Sequence, residues 1–257
     1  MAMFQKIISD VTHEGQLCWI TLNANKGNIL DIAMMTEMVK AIELTATNPL
    51  VKAIAFKANG DHFSFGASVK EHEQKKVATM LSSFHRLFRV LIRSKLPLLA
   101  AVRGQCLGGA MELITFCHWV FCEEKARFGQ PEINLGVFPP VASLLLPYRV
   151  GQAATDDLIL TGRSIDANEA EKIGLINNVS SNPEKALQAF FENHLVSKSA
   201  IALRFSVETA RTSMVTSFLQ NLELLEQRYV NDLMETQDAN EGIAAFIEKR
   251  DPLWRHR

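Results

Sequence analysis

The first half of the chain alternates short apolar, partly β-branched runs with longer stretches whose apolar positions recur at helical spacing. Cys18 to Leu22 and Val51 to Lys57 have the length and composition of strands. Between them, Asp31 is placed to cap a helix that runs to about Thr47. Met34, Met35, Met38, Ile42 and Leu44 supply its apolar positions, and Asn48-Pro49 closes it. A second helix is predicted over Val77 to Arg93, with Met80, Leu81, Phe84, Leu87, Phe88 and Leu91 on one side. Pro97 then introduces a buried strand, Leu98 to Val102. This alternation implies parallel strands joined by crossover helices. Beyond about residue 151 the pattern turns helical. Gly151 to Leu160, Asn168 to Ile173, Pro183 to Val196, Ala200 to Ser213 and Phe218 to Glu235 read as successive amphipathic helices. The prediction is a mixed α/β core with a helical extension, which either packs on that core or forms an oligomer interface.

Composition narrows the function classes. At 257 residues and 47% hydrophobic, the chain can bury one large α/β core with an appendage. A formal net charge of −1 argues against nucleic acid as a partner, because neutralising phosphates takes clustered Lys and Arg; the basic Trp254-Arg255-His256-Arg257 end is only a tail. No apolar run approaches the ~20 residues that span a bilayer, and Met1 to Asp10 carries no secretory pattern. Cys18, Cys106, Cys117 and Cys122 sit in apolar surroundings without a C-x-x-C frame. Reduced thiols in a cytoplasmic enzyme, with no membrane partner, are therefore expected. No metal is expected either: His62, His72, His85 and His118 lack ligand spacing.

Three segments can carry chemistry. Gly60 to His72 follows a strand, where α/β proteins place ligands, and Gly66 can turn the Ala67 amide outward; taken alone, these residues read first as a plain turn. Arg103 to Leu113 has glycines at 104, 108 and 109 before an apolar helix whose first amides face negative charge. It matches neither a dinucleotide fingerprint nor a P-loop. Glu112, one turn past Gly109, is either a functional acid or a complement to the helix dipole. Arg127 to Pro140 holds Glu132 directly after a proline. Burial would raise its pKa and suit it to proton transfer, whereas a surface turn would leave it solvated.

In this order and spacing, together with Leu160-Thr-Gly-Arg163 and Gly242-Ile-Ala-Ala-Phe246, the segments resemble the crotonase (enoyl-CoA hydratase) superfamily. The resemblance implies a spiral of ββα units over residues 1–195, with a helical region over 196–257 that assembles homotrimers or homohexamers. It implies an oxyanion hole at the Ala67 and Gly109 amides, with Glu112 and Glu132 as the catalytic pair. Ala67, Ser68, Val69 and Lys70 would receive an acyl-CoA substrate, with Lys26 and Lys249 toward its phosphates. Coenzyme A would enter as the substrate thioester, and no other cofactor is implied.

Possession of both glutamates favours hydration within that superfamily. Two departures stand out: Ser68 replaces a common Asp, and Pro139-Pro140-Val141-Ala142-Ser143 replaces a glycine-rich stretch. The glycine matching Pro140 gives relatives an N–H toward the catalytic water, and proline has none. The strings Phe63-Ser-Phe-Gly-Ala-Ser-Val69, Arg103-Gly-Gln-Cys-Leu-Gly-Gly109 and Phe128-Gly-Gln-Pro-Glu132 are similar to the cyclohexa-1,5-diene-1-carbonyl-CoA hydratase subgroup. Phe63, Phe65 and Phe138 would suit walls around a flat ring. The alternatives are hydration or isomerisation of linear enoyl-CoAs, a thioester or carbon–carbon hydrolase using Cys106 or Ser68, and an idle binding protein.

Overall fold

The computed structural model describes residues 4–25 and 27–257. Two antiparallel strands, β1 (Ile7–Thr12) and β2 (Leu17–Leu22), lead into α1 (Ile32–Ala46). Asp31 caps α1 as its spacing predicts, accepting from the Met34 N–H at 2.9 Å. Then follow β3 (Ala53–Ala58), α2 (Val77–Ser94), β4 (Leu98–Val102), β5 (Gln105–Leu107), α3 (Gly109–Phe116), β6 (Trp119–Cys122) and β7 (Arg127–Gly129). The second half contains α4 (Pro140–Thr161), β8 (Ser164–Asp166), α5 (Ala167–Lys172), β9 (Asn178–Val179), α6 (Pro183–His194), α7 (Ala200–Ala210), α8 (Thr212–Gln227) and α9 (Gln237–Glu248).

One sheet has the order β1-β2-β3-β4-β6-β9, parallel except for the first pair; β5-β7-β8 form a second. Strand pairs β4–β5 and β6–β7 each give one strand to each sheet, the repeating step of the spiral. All residues of β2 and β4 are buried, which explains runs that are apolar but for Thr21: the sheet is covered on both faces. Alternate residues divide between two cores. Ile20, Phe56, Ala100 and Val120 face the larger one, under α1 to α3. Trp19, Ala55, Leu99 and Phe121 meet Leu187 and Phe191 of α6.

The helical half departs from the periodicity in three places. The helix predicted from Gly151 starts at Pro140, because Pro139-Pro140 is itself a helix entry; Gly151 (φ 77°, ψ 165°) interrupts it instead. Strands β8 and β9 also lie beyond residue 151, too short to show a period. The run predicted as one helix over Phe218 to Glu235 leaves α-geometry after Gln227, continuing as a π turn over Arg228–Asp232 and a 3₁₀ turn over Leu233–Glu235. Phe218, Leu222, Tyr229, Met234 and Ile243 of this last region belong to the larger core, so the extension packs on the α/β body. Among the described residues no helix is long and apolar enough to cross a membrane.

Candidate active site

The three glycine- and proline-marked segments meet through backbone hydrogen bonds. The Ser64 N–H donates to the Gln105 carbonyl at 3.0 Å, and the Leu107 N–H donates back to Ser64 at 3.1 Å. The Gly108 N–H donates to the Gly129 carbonyl at 2.9 Å, tying the second segment to the strand before Glu132. Gly66 is held between these loops by the Leu30 N–H on its carbonyl (2.9 Å) and by its own N–H on Ser64 Oγ (3.0 Å). Its φ of +92° is open to glycine, and a Cβ there would lie 2.6 Å from the Leu107 carbonyl oxygen and 3.2 Å from the Gly109 nitrogen. The Ala67 and Gly109 amides are therefore neighbours. Among the described residues neither donates a hydrogen bond within the protein.

These amides border a cavity of about 70 Å³ that also takes in Glu112 and Glu132. Phe65, Val69, His72, Phe84, Phe138 and Tyr229 line it, with Pro139 and Pro140. Three prolines, Pro131 among them, and the rings of Phe65, Phe84, Phe138 and Tyr229 leave little to solvate a carboxylate. Glu112 is 4% exposed, on the first turn of α3. It does not cap its own helix: its Oε1 accepts from the Ala142 N–H at 2.7 Å, and the Val141 amide also contributes. Both amides belong to the α4 N-terminus that the two prolines start. Desolvation raises the Glu112 pKa from 4.5 to about 7 against these donors.

Glu132 lies on a 3₁₀ turn, Pro131–Leu135. Burial first, then the charge of Glu112, pushes its carboxyl well above the usual range. Gly108 keeps the space beside it open, since a Cβ there would meet Glu132 Oε1 at 2.7 Å. Buried Gln130, with its amide nitrogen turned to the carboxylate, donates to both Glu132 oxygens at 3.0 and 3.2 Å. The result is two carboxyls in one apolar chamber, one held by helix amides and the other pushed toward its protonated form. Such a pair can take a proton at one atom and deliver one at another.

A raised Glu112 pKa is also a statement about stability. Between pH 4.5 and about 7 the folded protein keeps a proton that the unfolded chain has lost, so stability falls as pH rises through that window. The full shift corresponds to about 3 kcal/mol. We therefore expect Glu112→Gln to melt several degrees above wild type at pH 8 and alongside it near pH 4.5, by calorimetry at both pH values. A variant less stable than wild type at pH 8 would contradict the buried charge.

A family model described as enoyl-CoA hydratase/isomerase matches residues 12–257. The chain belongs to this family. A cyclohexa-1,5-dienecarbonyl-CoA hydratase of Thauera aromatica is 45% identical, with 95% of each chain covered. A 2,3-dehydroadipyl-CoA hydratase of Escherichia coli is 31% identical, covering 96% of this chain and 98% of its own. The crystal structure of an enoyl-CoA hydratase from Mycobacterium avium subsp. paratuberculosis has a TM-score of 0.85 at 24% identity, over 98% of this chain and 99% of that one. The crotonase fold expected from the motifs is the fold observed.

The remaining expected residues divide. Phe65, Ala67, Val69, Gly109 and Phe138 all line the cavity, whereas Phe63 is wholly buried in the core. Ser68 and Lys70 are not among the lining residues; Ser68 precedes the 3₁₀ turn Val69–Glu71, and Lys70 is exposed on it. Lys249 is exposed at the C-terminus of α9, away from the cavity wall, and Lys26 lies outside the described residues. Phe65 also borders an open groove of about 570 Å³ lined by Ala24, Gly27, Asn28, Asn59, Asp61 and His62. A separate cavity of about 300 Å³, walled by α2, α7 and α8 with Phe116, His118 and Arg211, contains none of the expected residues. Tyr229, Gln130 and the Val141 and Ala142 amides were not expected. Tyr229 is one of two tyrosines, in a run indistinguishable from ordinary amphipathic helix.

Proposed function

We propose that this family member adds water across the conjugated diene of cyclohexa-1,5-diene-1-carbonyl-CoA, giving 6-hydroxycyclohex-1-ene-1-carbonyl-CoA, a reaction of anaerobic benzoyl-CoA breakdown. The observation that carries the reading is the convergence of two free amides, the buried Glu112 carboxyl and the half-buried Glu132 carboxyl on one aromatic-walled cavity. The thioester oxygen sits between the Ala67 and Gly109 amides. Pre-aimed donors of this kind each stabilise a developing oxyanion by about 3–4 kcal/mol. The CoA chain leaves past Phe65 along the groove at Gly27 and Asn59, and Ser68, Lys70 and Lys26 are the side chains proposed to contact it. Lys249 stays a weaker candidate for a phosphate contact.

Glu112 acts as base and Glu132 as acid. The α4 amides favour the ionised form of the first, while burial beside that charge keeps the second protonated. Water loses a proton to Glu112 as its oxygen bonds to the ring β-carbon, and the π electrons move into a dienolate ending on the thioester oxygen. Glu132 then protonates the γ-carbon and the ring double bond re-forms between the α-carbon and its other neighbour. One water is added and the thioester is kept. The similarity to the Thauera aromatica hydratase and the aromatic wall of Phe84 and Phe138 beside the prolines support a ring over a linear chain. Exposed Ile201, Phe205, Leu219 and Leu224 on α7 and α8 support assembly into a homotrimer or homohexamer.

Purified protein incubated in parallel with the cyclic dienoyl-CoA and with crotonyl-CoA, products identified by mass, tests the substrate. We expect the cyclic thioester to gain one water faster than crotonyl-CoA does. Preference for crotonyl-CoA would assign the protein to linear substrates, and free CoA would mark a hydrolase.

A further inference from the structure

One polar atom in the cavity has no partner. The Tyr229 side chain is 1% exposed and lines the chamber with Glu112 and Glu132, yet its hydroxyl makes no hydrogen bond among the described residues. The ring is fixed by Phe138, with centroids 5.2 Å apart, and by His72 at 6.4 Å. His72 cannot take up the hydroxyl's need with its Nδ1, which is 2.8 Å from the Ser68 carbonyl. Buried phenols ordinarily find a partner, and a desolvated one without it destabilises the free protein. The backbone beneath is equally unusual: Tyr229 rides on the π turn Arg228–Asp232, a geometry that concentrates at functional sites. Burial and the two carboxylates raise its pKa, so the phenol stays protonated and is a donor.

Elsewhere on the same wall a donor is missing. Pro140 has no N–H, and the next two amides of α4 are occupied by the Glu112 carboxylate. Glu112 takes a proton of the water, and the Glu132 proton goes to the γ-carbon, so on this assignment neither carboxyl is left to fix the attacking oxygen with a donated hydrogen bond. We propose that Tyr229 Oη donates a hydrogen bond to the oxygen that adds to the ring, in place of the amide absent at Pro140, making Tyr229 a catalytic residue for hydration. In the reverse direction the same bond stabilises the departing hydroxyl. This inference rests on the hydratase reading above and assigns that site's third polar contact.

Tyr229→Phe removes one oxygen and no ring. We expect kcat to fall about 10- to 100-fold in hydration and by the same factor in dehydration, with KM within about threefold. The melting temperature stays at or above wild type, because no hydrogen bond within the protein is lost. Unchanged kcat overturns the proposal; so does a raised KM at unchanged kcat, which would place the hydroxyl on the acyl group. A melting temperature several degrees lower overturns it too, by making the hydroxyl structural. Adding Pro140→Gly to the Tyr229→Phe protein restores a donor, and recovery of kcat supports the exchange; no recovery refutes the claim that both serve one oxygen. The substrate reading fails separately. If wild type ignores the cyclic diene but hydrates crotonyl-CoA, the same comparison is made on crotonyl-CoA, and a wild type that hydrates neither overturns both.

Discussion

Glu112→Gln and Glu132→Gln, made singly, are expected to lower kcat about 10²- to 10⁴-fold while the CoA ester binds within a few-fold of wild type. The asymmetry follows from where each carboxyl sits. Neither lines the groove at Asn59 proposed for the CoA chain, so ground-state affinity is expected to have other sources. Glutamine keeps the volume and one acceptor for the Ala142 N–H but can neither take nor deliver a proton. Steady-state kinetics with product analysis reads the first effect, and a titration with a non-reacting CoA ester reads the second. The wild-type rate should also peak with pH. It rises as the pair loses one proton near pH 7 and falls at higher pH as the second leaves, since burial and the first charge hold that carboxyl well above its usual range. Turnover undiminished in either variant would remove that residue from the chemistry.

Much of this site was readable because its chemistry forces unusual residues into short stretches. Gly66 and Gly108 stand where a Cβ would strike the Leu107 carbonyl and the Glu132 carboxyl, so both show as glycines in otherwise apolar surroundings. Pro131 announces the turn at Glu132, whereas Pro139-Pro140 start a helix that the periodicity placed only from Gly151. The strands β2 and β4 were legible for a different reason, burial on both faces, which leaves Thr21 as the only polar residue in either run. What stayed hidden depends on contacts distant along the chain. Ala142 gives no sign that its amide serves Glu112, thirty residues away. Nothing in the spacing of Tyr229 marks the π turn that carries it, because a one-residue shift in helical phase is lost within a long amphipathic pattern. The helical extension was similarly ambiguous: an apolar stripe suits an interface or a core, and α8 and α9 use theirs partly for the core.

Gly66→Ala should be the more disruptive change to the oxyanion site, lowering kcat/KM at least 10²-fold. Two costs combine in that one methyl group. Alanine is strained at φ +92°, and its Cβ would enter the space 2.6 Å from the Leu107 oxygen and 3.2 Å from the Gly109 nitrogen. The easiest relief is for the loops carrying Ala67 and Gly109 to part, which misaims both donors at once. The glutamates stay in place, because the α4 amides and Gln130 hold them from the other side. The loss should therefore appear in the step that builds negative charge on the thioester oxygen: exchange of the ring proton of the product-side thioester with deuterated water slows in parallel with hydration. If Gly66→Ala instead hydrated the thioester at the wild-type rate, the two amides could not be the groups that receive the oxyanion, and the acyl group would have to bind in the chamber another way round.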